Sequence, residues 1–291
     1  MNNNDLLFLK ILADEHNLTK TAKKLFISQP AITDKIKKLE KEFGAKLIVR
    51  KPRGIELTPE GDILVQYAIR ALMEFEKTKD LITNMHTDEL HGSLHISCSN
   101  VFAKYHLPKL LSDFQKLYPK VEITFKSGFS TNLYRDFLRG ESQLAILRGD
   151  HLWSQEKKLL LQEPLCIFSA FPLDLDNLPE VPYIHYSTDP NLQTLLDEWW
   201  GNNYQKRPHI VTDIDSMDTG MKLVQNGLGY TILSESCGSD TPGLYKYPLK
   251  LLNKEIIYRK TWLYYRNDCN SSRIVKTFIY FILKKYRPIP L

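Results

Sequence analysis

Along the first sixty positions apolar residues recur at three- and four-residue steps, and each run is bounded by helix-starting or helix-ending residues. Residues 4–16 (NDLLFLKILADEH) gather their apolar positions on one broad helical face. LTKTAKKL reads as a short second helix, with Thr19 as N-cap and Ala22 and Leu25 facing inward. After a turn at FIS, a third helix opens at SQPAITDKIKKLE. Ser28 suits its N-cap, and Pro30 is tolerated where first-turn N–H groups lack an intrahelical partner. Ile32, Ile36, Leu39 and Phe43 form one buried stripe, and Gly44 supplies the left-handed residue that ends the helix. That stripe leaves Gln29, Thr33 and Lys37 on an exposed face. Residues 47–58 (LIVRKPRGIELT) read as two short strands around KPRG, a basic hairpin.

Thr58-Pro59-Glu60 is a helix start: an N-cap, a proline at the first position and an acid in the first turn. The helix continues to about residue 86. Leu64, Tyr67, Ala71, Phe75, Thr78, Ile82 and Met85 recur at three- and four-residue steps, a narrow seam that suits a coiled-coil partner better than a globular core. About 28 residues of helix span roughly 42 Å, a dimerisation arm. The alternative is a helix packed only on its own chain.

From residue 92 strands and helices alternate. SLHISCS, VEITFKS and QLAILRG read as strands separated by helices at FAKYHLPKLLSDFQKLYP and NLYRDFLRG. A second set runs LCIFSA, PYIHYS, a helix through NLQTLLDEWW, HIVTDI, a helix through SMDTGMKLVQNG, and YTILS. TWLYYR and a last helix (SSRIVKTFIYFILKKY) look like a return to the first set. Right-handed parallel α/β units are the default for such alternation, and two α/β lobes enclose a ligand cleft. The predicted organisation is a winged helix-turn-helix over 1–58, a linker helix over 59–87, a hinge over 88–92 and a two-lobed α/β domain over 93–291. Lobe I takes 93–163 and 268–291, and lobe II takes 164–267.

Charge sharpens this division. Residues 1–53 hold ten Lys and two Arg against three Asp and three Glu, a net of +6. The whole chain carries +5, so the remainder sums to −1. A basic head on a near-neutral body points to a polyanion, nucleic acid before membrane, against the alternative of a merely solvated lysine face. In a helix-turn-helix the second helix enters the major groove; here its polar N-terminal residues reach base edges while lysines neutralise phosphates. A hydrophobic content of 43% is ordinary for a soluble protein, and no apolar run approaches a membrane span. The N-terminus lacks signal-peptide regions, so a cytoplasmic location is expected. Cys98, Cys166, Cys237 and Cys269 are far apart, and His95, His106, His151 and His185 share no ligand spacing, so no metal or other cofactor is expected.

The stretch LTKTAKKLFISQPAITDKIKKLEKEFGAKLIVRKPRGIELTPEG strongly resembles the N-terminal signature of LysR-type transcriptional regulators. The remainder resembles their periplasmic-binding-protein-like effector domain. SCSN, AILRGDHLW, DEWW, NGLGYTIL and YRKTWL look like citrate-responsive catabolite-control regulators of Gram-positive bacteria. The resemblance implies a regulator that binds promoter DNA as a dimer of dimers. It implies base contacts from Gln29, Pro30 and Thr33 and minor-groove contact from Arg53. Ser28, Lys37, Arg50 and Lys51 complete the DNA-facing set. Asp34 departs from the basic or amide residue many members carry there, and puts the usual half-site in doubt.

Arg148 follows the strand LAIL, and Ser99 and Asn100 follow LHISC; carboxyl ends of parallel strands line one crevice. Arg259, before TWLYYR, is expected to reach the crevice from the other lobe, and Val101 and Ser130 join the lining. Two guanidinium groups with hydroxyl and N–H donors suit a small polycarboxylate, citrate first. The competing reading leaves both arginines in surface ion pairs. Two other functions compete with the regulator: a small-molecule binding protein whose basic head meets something other than a promoter, and an enzyme acting on a carboxylate, although no catalytic set stands out.

Overall fold

The computed structural model describes residues 1–85, 87, 89–267 and 272–286. Cys269 and both ends of the 268–291 stretch lie outside the described residues. The first three helices are α1 (Asn3–Glu15), α2 (Leu18–Leu25) and α3 (Gln29–Phe43), followed by the hairpin β1 (Ile48–Lys51) and β2 (Gly54–Leu57). Ser28 caps α3, its Oγ accepting from the backbone N–H of Ala31 at 3.4 Å, and Gly44 closes the helix at φ 66°. Thr19 does not cap α2. Asn17 does, accepting from the Lys20 N–H at 3.0 Å, because the helix begins at Leu18, one residue before Thr19.

Ile32, Ile36 and Leu39 bury their side chains among Phe8, Leu12 and Leu18. Phe43 is not buried as expected but 46% exposed. It sits in the last helical turn, where the stripe has run past the domain's core, and shares an open apolar patch with Met1, Ile63 and Tyr67. The long helix α4 (Pro59–Asn84) is capped by Thr58 and sends Leu64, Val65, Ala68 and Ile69 into the helix-turn-helix core. Beyond that first third its seam opens to solvent: Tyr67, Phe75 and Ile82 are each more than half exposed, and Met85 is 76% exposed.

The remaining strands are β3 (Gly92–Ser99), β4 (Val121–Gly128), β5 (Leu144–Arg148), β6 (Glu156–Ser169), β7 (Pro182–Tyr186), β8 (His209–Ile214), β9 (Tyr230–Ser234), β10 (Tyr245–Pro248) and β11 (Tyr258–Tyr265). Among the described residues they form one sheet in the order β4-β3-β5-β11-β6-β9-β7-β8, with β10 beside β6. Pairing is parallel within each lobe (β3 with β4 and β5, β7 with β8 and β9) and antiparallel where β6 and β11 cross between lobes. The helices are α5 (Asn100–Tyr105), α6 (Leu107–Leu117), α7 (Ser130–Arg139), α8 (Pro190–Asn203), α9 (Met217–Gln225) and α10 (Arg273–Lys285).

Three features differ from the sequence expectation. The single helix expected over FAKYHLPKLLSDFQKLYP is two, broken at His106, because Pro108 lacks an N–H and restricts the residue before it. Residues 156–163 form the first half of β6, a strand unmarked by alternation because its length crosses from one lobe's surroundings into the other's. Lobe II does not run to residue 267. Thr261–Tyr265 of β11 pair with β5, and Leu263 packs in the first lobe's core, so the return begins inside β11.

Candidate functional site

The polar N-terminus of α3 faces solvent, with Gln29 Oε1 accepting from Thr19 Oγ1 at 3.4 Å and Thr33 Oγ1 donating to the Gln29 carbonyl at 3.3 Å. Ser28, Gln29, Pro30, Asp34 and Lys37 are exposed and Thr33 is half-buried. These residues follow a helix whose inner face is fixed by Ile32 and Ile36, so the outer face is fixed too. Several nearby lysines are engaged: Lys35 pairs with Asp5 at 2.7 Å and Lys51 with Glu56 at 3.3 Å. Among the described residues Lys37, Arg50 and Arg53 make no ion pair, which leaves these cations available to phosphates, and the Asp34 carboxylate beside them makes none either. The hairpin tip at Pro52-Arg53 is fully exposed beside them. Phe26, in the turn before α3, is 95% exposed with φ 54°, a large ring left in water next to the polar set.

The second site lies between the lobes. Ser99, Asn100, Val101, Ser130, Arg148 and Arg259 all line one cavity, Ser99, Asn100 and Arg148 at strand ends as expected. Arg148 ends β5 and is buried, its Nη2 donating to Glu163 on β6 at 2.9 Å. Arg259 does not project from the body of lobe II. It lies on β11, in register with Glu163 across the two crossing strands. It is 8% exposed and makes no hydrogen bond or ion pair among the described residues. Gly149 turns at φ 84° against it, where an added Cβ would stand 3.2 Å from its Nη1.

The electrostatics follow from burial. Desolvation lowers Arg259 to about 10; the like charge of Arg148 adds to this and Asp189 opposes it. Desolvation also lowers Arg148, offset in part by Glu163. Burial pushes the Glu163 carboxyl up, but His106, Arg148 and Ser236 together outweigh it and hold it below the usual carboxylate range. Burial pushes the Cys98 thiol up, so it packs as a small hydrophobe rather than as a reactive thiolate.

Sequence reasoning missed the carboxylates. Glu163 sits on the unrecognised half of β6. Asp189 precedes α8, and Asp-Pro at 189–190 is a helix-start signal that marks it as a cap. Instead of capping α8, Asp189 accepts from the backbone N–H of Ser130 at 2.9 Å and from Thr131 Oγ1, both at the start of α7 in the other lobe. Ser130 Oγ in turn accepts from the Arg148 N–H at 3.0 Å. With these groups drawn together the cavity measures about 50 Å³, room for a few waters; ligand pockets run to roughly 300–1,000 Å³. A larger groove of about 680 Å³ lies elsewhere, between α4 and the first lobe, and opens to solvent.

Comparison with known proteins gives concordant matches. Residues 3–62 match the family described as bacterial regulatory helix-turn-helix protein, lysR family, and residues 87–287 match the LysR substrate binding domain. The chain is 39% identical over 282 residues to the HTH-type transcriptional regulator YraN of Bacillus subtilis, covering 97% of each protein. It is 26% identical over 280 residues to YkuM of the same organism, covering 96% of this chain and 95% of that one. Among solved structures, the LysR family regulator CbnR superposes with a TM-score of 0.68 at 18% identity, over 99% of this chain and 100% of the other. Full-length OxyR of Pseudomonas aeruginosa gives 0.68 at 20% identity, over 97% and 95%. At these identities the structural likeness carries the fold, a helix-turn-helix head with a two-lobed regulatory domain.

Proposed function

The chain belongs to the LysR family of transcriptional regulators, and on that premise we propose that it binds promoter DNA through the α3 face under the control of a small carboxylate held between its lobes. As a member of that family it is a DNA-binding transcription regulator with an effector-binding domain, and its relatives are regulators rather than enzymes. CbnR, of the same fold, has been solved with its target DNA.

The DNA-contacting set is Ser28, Gln29, Pro30, Thr33, Asp34 and Lys37 from α3, with Arg50, Lys51 and Arg53 from the hairpin. What supports it is the exposed polar N-terminus of a rigidly seated helix beside unpaired cations. Asp34, an acceptor without a partner of its own, suits a cytosine amino group. The arm is α4, whose solvent-facing Tyr67, Phe75, Ile82 and Met85 fit a second copy, and a dimer of such dimers presents heads to successive half-sites. The protein works in the cytoplasm; no helix of the described residues is long and apolar enough to cross a membrane.

The single observation that carries the effector reading is Arg259, a buried guanidinium that forms no ion pair among the described residues, with only the more distant Asp189 acting on it, in a cleft walled by both lobes. A buried unpaired charge is costly unless an anion meets it. Carboxylates match the guanidinium fork, and citrate is the best single choice among them. Because the cavity is small, binding requires the lobes to part, which gives the ligand a conformation to select. Calorimetric titration of the full-length protein with citrate tests this. Binding that Arg259→Met abolishes supports the reading, and no heat at millimolar citrate rejects that ligand.

A further inference from the structure

The cleft already contains a carboxylate in an anion position, and it belongs to the protein. Helix α7 starts without a local cap: its N-cap residue is Phe129, which has no side-chain acceptor to offer. Ser, Thr, Asn or Asp would ordinarily stand there. The acceptor comes instead from 59 positions away, across the lobe boundary, where Asp189 takes the Ser130 N–H at 2.9 Å and the Thr131 hydroxyl. Asp189 is 6% exposed and heads α8 without capping it. Its carboxylate faces the positive end of a ten-residue helix. A second observation marks the same place as a ligand position. Arg259, 8% exposed, and Ser99, 3% exposed, line this cavity, and Arg259 Nε and Ser99 Oγ have no hydrogen-bond partner among the described residues.

We propose that Asp189 is a tethered stand-in for the effector: its carboxylate fills the anion position at the start of α7, and a free carboxylate ligand binds by replacing it, taking the Ser130 N–H and Thr131 Oγ1 as donors and Arg259 as counter-charge. This rests on the reading of the cleft as the effector site. The exchange is balanced. One carboxylate leaves the helix terminus for solvent as lobe II moves away, and another takes its donors. Asp189 thereby sets both the resting, closed arrangement and the chemical class admitted, since the incoming group must present the same two acceptor oxygens. It also weakens apparent affinity, because a ligand sees only the fraction of molecules in which the position is free.

The test removes the tether and supplies its carboxylate in solution. Thermal unfolding of full-length wild type, Asp189→Ala and Asp189→Ala/Arg259→Met is followed in sodium acetate and in sodium chloride of equal ionic strength. Asp189→Ala is expected to show a saturable rise in Tm with acetate that chloride does not reproduce. Wild type, whose position is filled, and the double variant, which lacks the counter-charge, are expected to show none. If Asp189→Ala fails to fold, Asp189→Asn gives the same readout, since acetate displaces a neutral amide more readily than a carboxylate. An acetate response of either variant no larger than that of wild type overturns the proposal and leaves Asp189 a structural cap. The citrate titration of wild type is separate. Citrate binding without an acetate response removes the tether alone, and an acetate response without citrate binding upholds the tether while removing citrate.

Discussion

Gln29 is exposed and Thr33 half-exposed at the start of α3, with the helix fixed in place by the buried Ile32 and Ile36. Each base-reading side chain is worth about 1–3 kcal/mol of discrimination, so Gln29→Ala and Thr33→Ala should weaken specific binding far more than binding to random DNA. Lys37→Ala should weaken both and flatten the slope of log affinity against log salt by about one; fluorescence anisotropy over a salt series checks all three. In the cleft, Glu163 neutralises Arg148 from 2.9 Å. Removing one partner of a buried pair costs about 3–5 kcal/mol, so Glu163→Gln should lower stability at neutral pH by that order. The pH dependence has a definite sign. The folded carboxyl lies below its ordinary value of 4.5, so its contribution is present above pH 4.5 and fades as pH falls through the folded value. Urea unfolding at a series of pH values should therefore show the gap between wild type and Glu163→Gln narrowing in acid. The basic and hydroxyl residues of both sites were legible in the sequence because strand ends and helix starts announce themselves. Glu163 and Asp189 were not, because Glu163 acts on Arg148 of β5 and Asp189 on the start of α7 in the other lobe, partners no local pattern encodes.

At the scale of elements, the short helices and the parallel strands follow from periodicity, capping and turn residues. The failures are instructive. Asn17 rather than Thr19 caps α2 because the helix starts at Leu18 and Thr19 already lies inside it, and two nearby polar candidates cannot be separated by type alone. Phe43 continues an apolar stripe but lies past the end of the core that the stripe serves. The first half of β6 escapes because a strand shared by two lobes changes its burial midway: Glu156–Leu159 are largely half-exposed while Leu165–Ser169 are buried. The spacing of the α4 seam was visible in the sequence, and Phe75, Ile82 and Met85 are exposed in the single chain, where the proposed arm would meet a second copy. Phe75→Lys should place a charge in that seam, where an unpaired buried ion costs several kcal/mol. Sedimentation velocity should then find dissociated chains, with operator affinity lost alongside; a variant that stays fully assembled removes the seam from the account.

For the whole molecule, head, α4 and the first lobe are joined by continuous contacts. The α4 helix packs into the head at Leu64 and Ala68, and its Asp80 receives the Ser93 N–H of the first lobe at 3.1 Å. A ligand that parts the lobes thereby has a route to the spacing of the DNA heads. Linkage requires ligand and operator to alter each other's affinity by the same factor. Arg148→Ala should abolish the ligand's effect on DNA binding while leaving ligand-free binding nearly unchanged, because Arg148 is buried in the cleft and not in the head; operator titrations with and without citrate check this. All of it depends on the α3 face reading sequence. The most direct test is selection of binding sites from a random-sequence duplex pool by the full-length protein, wild type and Gln29→Ala in parallel. Wild type should enrich a two-fold symmetric, interrupted sequence that Gln29→Ala binds at least tenfold more weakly, by the size of one base contact of about 1.4 kcal/mol or more. Enrichment of no common sequence, or equal affinity of the two proteins for it, would contradict the account.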